Sequence, residues 1–108
     1  MRPANQDPIK AEYEPPRLAL LKEREIVVAA IKAATEAFEG ELAPLKKQEA
    51  AGQSVADKIE SLVSKAAAGR DYQMGALADL DAKLERNAIM RQMALDKAAE
   101  AAAAAAEE

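Results

Sequence analysis

Alanine fills 28 of the 108 positions, six of them in a row at 101–106, and this constrains the chain more than any motif it carries. Alanine has the highest intrinsic helix propensity and almost no side chain to bury. It therefore favours helices and, at the same time, thins any core those helices could build. With Glu, Lys, Leu and Arg it accounts for 66 residues, well above the roughly half of a sequence that already marks long helices or coiled coils. Setting the alanines aside leaves only 26 larger apolar residues. Leu, Ile, Val and Phe number 20, close to the level at which disorder is suspected, but a net charge of −4 is too small to expand the chain. The expectation is a single all-α unit that depends on neighbours for part of its burial.

The same composition removes most chemistry. There is no Cys and no His, so thiol nucleophiles, disulfides, the usual zinc sites and imidazole acid–base catalysis are all missing. Carboxylates are the abundant catalytic type that remains. Glu23 with Glu25, and Asp79 with Asp81, are two residues apart and point to opposite sides of a helix. Glu36 with Glu39, Asp57 with Glu60, and Asp81 with Glu85 do share faces, as solvated acidic faces ordinarily do. A calcium loop started at Asp79 would need Gly where Leu84 stands and Glu where Met90 stands. None of the four glycines precedes a Lys-Ser or Lys-Thr pair, so no phosphate loop is present. The chain is expected to be no enzyme and to take no metal or cofactor.

Nucleic acid is not expected as the main ligand. The 15 basic residues are dispersed among 19 acidic ones, and Lys46-Lys47 is the one adjacent pair. Membrane binding is not expected either: outside the alanine tail the longest apolar run, Ile26 to Ile31, is six residues against the roughly 20 of a spanning helix. The polar, proline-broken start Met1-Arg2-Pro3-Ala4-Asn5 lacks the apolar stretch of a secretion signal. A cytoplasmic or virion location follows as the expectation.

Along the chain, residues 1–16 form a compositional block of their own with Pro3, Pro8, Pro15 and Pro16. Each proline removes a backbone donor and biases its predecessor toward extended geometry, which predicts an extended N-terminal arm. Ile9 and Tyr13 are its isolated apolar residues and the candidate anchors on a partner; the alternative is a solvated tail. Helical spacing then runs from about 17 to 51 through Leu20, Val27, Ile31, Ala34 and Phe38. Pro44 lacks the donor that would reach residue 40, so a kink near 40–44, or else a loop, is expected there. Gly52 reads as a left-handed C-terminal cap, and Ser54 as the N-cap of a second helix. That helix covers 54–97 and carries Val55, Ile59, Leu62, Leu77, Leu84 and Leu95, with either a break near 69–71 at Gly69 or a straight passage through it. Positions recurring every eleven residues, Val55, Ala66, Leu77, Ala88 and Ala99 and in parallel Leu62, Gln73, Leu84 and Leu95, favour the straight passage, with Gln73 the one break in the apolar pattern. Residues 98–108 form an alanine-rich helical tail.

Ile89, Met90 and Met93 leave the stripe, which implies burial on more than one side near the C-terminus: the ordinary explanation is a wider core face, and the alternative a second contact surface for another chain. The predicted fold is thus all-α: a long helical hairpin or kinked helical bundle with an extended proline-containing arm. The predicted role is a structural or assembly subunit that packs by helix–helix contacts, as a homo-oligomer or in a larger hetero-assembly. A small virion component, such as a tailed-phage capsid, neck or tail protein, suits that description. Candidate partner-binding residues are Ile9 and Tyr13 on the arm, and Leu20, Val27, Ile31, Phe38, Ile89, Met90 and Met93 on the helix faces. The alternative is a cytosolic adaptor, inhibitor or chaperone that offers an apolar helix face to a protein target.

Overall fold

In a computed structural model the described residues are 7–107, and they form two helices and no strand: α1 (Asp7–Ala50) and α2 (Ala56–Glu107). The fold is an all-α helical hairpin. Its turn is made by Gly52, whose φ of 88° lies in the left-handed region that a side chain disfavours. The Gly52 amide donates to the Glu49 carbonyl at 3.0 Å and the Gln53 amide to the Gln48 carbonyl at 2.9 Å. Together these are the two bonds of a Schellman cap, which satisfies carbonyls that the end of α1 would otherwise leave open.

The start of α2 differs from expectation. The Ile59 amide donates to the Val55 carbonyl at 3.0 Å, so Val55 rather than Ser54 holds the N-cap position. Valine offers no capping oxygen. It is, however, one of the two buried hydrophobic residues among those described, at 5% exposure, so apolar burial substitutes for a polar cap at this end.

The predicted arm also changes. Residues 1–6 lie outside the described residues, but 7–16 belong to α1 rather than to an extended segment. Pro8 sits in the first turn, where its missing donor would be unused. Pro15 and Pro16 leave the Ala11 and Glu12 carbonyls without an intrahelical donor, and both of those residues are exposed, so water can take the lost places. Pro44 is accommodated in the same way opposite exposed Gly40, and the helix runs unbroken through 40–44, which excludes the loop. Likewise α2 passes through Gly69 and Gly75 without the break considered at 69–71, and the alanine tail continues it to Glu107.

The contacts divide the hairpin into two compact units, one made of the described residues of Met1–Arg24 and Asp79–Glu108, the other of Glu25–Ala78. In Glu25–Ala78 the half-buried residues repeat in sevens: Ile31, Phe38 and Leu45 on α1, and Ile59, Ala66 and Gln73 on α2. In the other unit both spacings occur: sevens in Leu84, Arg91 and Ala98, and elevens in Ile9 and Leu20, Tyr13 and Arg24, and Leu84 and Leu95. A seven-residue spacing falls about 20° short of two full turns of an ideal helix, and an eleven-residue spacing overshoots three turns by about the same angle. Glu25–Ala78 holds elevens as well, as in Ile31 with Leu42 and Leu62 with Gln73, so the two drifts offset in each unit. The eleven-residue series Leu62, Gln73, Leu84, Leu95 stays on the seam, whereas Ala88 and Ala99 of the parallel series through Val55 are exposed.

Candidate interaction surfaces

Neither unit has a closed interior. Val55 and Leu80 are the buried hydrophobic residues among those described, and no polar or charged residue is buried. Among the described residues there is no grouping of acidic side chains able to hold a metal ion, and no helix is long and apolar enough to cross a membrane. The side chains available to do something are those on the seams and those on the faces that point away from them.

In the unit of Met1–Arg24 and Asp79–Glu108, Arg24 Nε donates to Asp81 Oδ1 at 2.7 Å, and Asn87 Nδ2 donates to the Tyr13 carbonyl at 3.4 Å. The two contacts run in opposite order along α1 and α2, as an antiparallel pair requires. Both Arg24 and Asp81 are about half exposed, so their bridge contributes little beyond register. Asn87 matters differently. It is a half-buried amide on an apolar stripe, and its bond to Tyr13 selects one alignment of the two helices. Surface pairs Glu14–Arg17 at 2.9 Å and Asp79–Lys83 at 3.0 Å add the local support that their i,i+3 and i,i+4 spacings provide.

The sequence-predicted contact residues fall into two groups. Ile9, Tyr13, Leu20, Val27, Ile31 and Phe38 are all half-buried on α1, on the seams of their own units. Ile89, Met90 and Met93 are exposed, at 52%, 48% and 61%. At about 100° per residue, Ile89 and Met93 stand on the side of α2 opposite to Leu84, Arg91 and Leu95, with Met90 roughly at a right angle to both. They form an outward apolar face in their unit, not the wider core face that their departure from the stripe would ordinarily mean.

Sequence reasoning missed the rest of the outward apolar surface. Leu18 is 53% exposed on the far side of α1 from Ile9 and Leu20, and Tyr72 is 81% exposed on α2. Within Glu25–Ala78, the helical repeat puts Val28, Val63 and Met74 along one flank of the seam and Ile26 and Tyr72 along the other. The available signal was angular: each of these residues lies about 80° or more from the centre of its seam, counting residue by residue.

Glu25–Ala78 also contains an open groove of about 630 Å³ along its seam, lined by Ile31, Phe38, Leu62, Ala66 and Gln73 among others. Ala66 and Gly69 on α2 present little or no side chain to it. An added Cβ at Gly69 would meet nothing within 4 Å. The rim carries Glu39, Glu41, Lys65 and Arg70, two charges of each sign, which favours no charged ligand.

No family model, curated protein or solved structure matches the chain.

Proposed function

We propose that this chain is a non-enzymatic assembly subunit, a helical hairpin that packs through its outward apolar faces against other protein chains in a larger complex. The observation that carries the proposal is the number of large apolar side chains that its own seams leave uncovered: among the described residues nine are exposed, from Leu18 to Met93, against two that are buried. A chain whose apolar surface falls on two flanks of one unit, and on outer faces of the other, suits neighbours on more than one side. Scattered single hydrophobic residues are ordinary on a protein surface, but flanking stripes beside so small a core are characteristic of association. The alanines support this role, because small side chains let helix backbones approach closely. The setting proposed is the cytoplasm or a virion, where a small capsid, neck or tail component of a tailed phage needs such packing and no catalysis.

A second role, an adaptor or chaperone that captures one protein target, is favoured by a single feature. Met90 and Met93 are unbranched and polarisable, and such residues adapt to varied partners. The two roles differ in how many faces are used. Ile89→Asp with Met93→Asp, and separately Val63→Asp with Met74→Asp, would be examined by sedimentation velocity alongside the unsubstituted chain. All four positions are exposed, so helix content should survive. Loss of assembly with either pair supports the subunit; loss with the first pair alone supports the adaptor; an unchanged distribution with both refutes the outward faces as contacts.

A further inference from the structure

The first two turns of α1 are joined to the rest by the weakest backbone in the described chain. Four helical hydrogen bonds would cross the Pro15-Pro16 joint, from the amides of residues 15–18 to the carbonyls of 11–14. Pro15 and Pro16 have no amide hydrogen, so two of the four do not exist. Glu14 and Pro15 each precede a proline, a placement that disfavours the helical conformation both adopt. The side-chain pair that bridges the joint, Glu14 with Arg17, is close to half exposed and open to screening by salt.

What holds residues 7–14 in place is therefore tertiary. Ile9 and Tyr13 are half-buried, and Asn87 Nδ2 donates to the Tyr13 carbonyl. The antiparallel order places Ile9, one turn before Tyr13, beside the part of α2 that carries Arg91 and Leu95, both half-buried. If the joint opens, the surface left on α2 is already shaped and registered for one occupant, the same eight residues, and every copy of the chain carries them.

We propose that residues 7–14 are a releasable strap hinged at Pro15-Pro16, and that the strap docks on α2 of a second copy, beside Asn87, to link copies of this chain. Exchange of this kind recreates each inner contact between chains, so it needs no new surface. The inference rests on the inner seam and the hinge, and it is independent of the outward faces invoked above.

The chain has no cysteine, so introduced thiols react alone. One preparation carries Lys10→Cys and another Ala88→Cys, exposed positions that neighbour Tyr13 and Asn87 and leave both of those residues intact; they are mixed and treated with a short bis-maleimide. Phe38→Cys mixed with Leu62→Cys is the control, because both residues lie in Glu25–Ala78, away from the strap. Cross-linked dimer at least about tenfold above the control is expected, falling at least about tenfold when Pro15→Ala and Pro16→Ala close the hinge. No excess over the control, or a yield indifferent to those alanines, overturns the proposal. Hydrogen exchange on the unsubstituted protein guards against variants that fail to fold. The amides of 11–14, which have helical acceptors, should exchange at least about tenfold faster than those of 20–27, and faster still in high salt; equal protection also overturns it.

Discussion

Three glycines sit inside helices with nothing pressing on them, and this yields a prediction whose sign depends on position alone. At Gly40, Gly69 and Gly75 a Cβ would meet no heavy atom within 4 Å, and none of the three has a positive φ. Replacement by alanine then acts through the backbone: it removes the excess freedom of glycine in the unfolded chain and gains about 0.5–1 kcal/mol each. All three lie in Glu25–Ala78, so their gains add to about 1.5–3 kcal/mol. For a unit of this size that corresponds to a rise in Tm of roughly 13–26 °C. Gly52 has equally open surroundings, but its φ is 88°. An L-residue there costs about 1–2 kcal/mol, offset only in part by the same unfolded-state gain, so Gly52→Ala should lower stability by about 0.5–1 kcal/mol. The assay is thermal and urea unfolding followed by circular dichroism for the four single variants and the triple. A neutral or destabilising Gly69→Ala would show that the helix breaks there or that another surface approaches it. A stabilising Gly52→Ala would refute the turn geometry.

Further outcomes follow from burial. Leu80→Ala should cost about 2–3 kcal/mol and Val55→Ala about 1–2, read from urea midpoints, because these are the two buried side chains. Leu18→Ala, at an outward position, should stay within about 0.5 kcal/mol in the same assay. A double-mutant cycle on Arg24 and Asp81 should give a coupling of about 0.5 kcal/mol or less that vanishes in 1 M salt, since both side chains are substantially exposed. Asn87→Leu should leave stability unchanged or raise it, yet broaden the distribution of helix registers seen by cross-linking from introduced cysteines, because it removes the polar bond that fixes alignment.

Much of the architecture is legible in the residues. Helix content follows from alanine, and the turn follows from Gly52, where the side-chain-free αL position is a local requirement independent of the rest of the chain. What local rules misjudge is prolines. Pro8, Pro15, Pro16 and Pro44 each argue for an interruption, yet α1 contains all four. An exposed carbonyl bonded to water replaces part of the lost hydrogen bond, and the seam residues Ile9, Tyr13, Leu42 and Leu45 hold the two sides in line. Ser54 misleads for a related reason: its capping chemistry is sound, but the adjacent Val55 gains more by burial. Among the candidate contact residues, Ile89, Met90 and Met93 stand out in the sequence because they break a regular stripe, but the stripe alone does not separate a wider core face from the outward face that they occupy. Ile26, Tyr72 and Met74 are not found, since in an alanine-rich helix an apolar residue off the seam looks like part of a broad one. Periodicity identifies the seam well and says little about surfaces beyond it.

The most direct test of the account is the molar mass of the full chain by multi-angle light scattering over a range of concentrations, with circular dichroism and thermal melting on the same samples. The chain mass is 11.5 kDa. An assembly subunit with so much uncovered apolar surface should give a defined multiple of that mass or, alone and dilute, a partly helical chain that melts without cooperativity. A monomer at every concentration, fully helical and melting in one sharp transition, would contradict the claim that its outward faces exist to meet other chains.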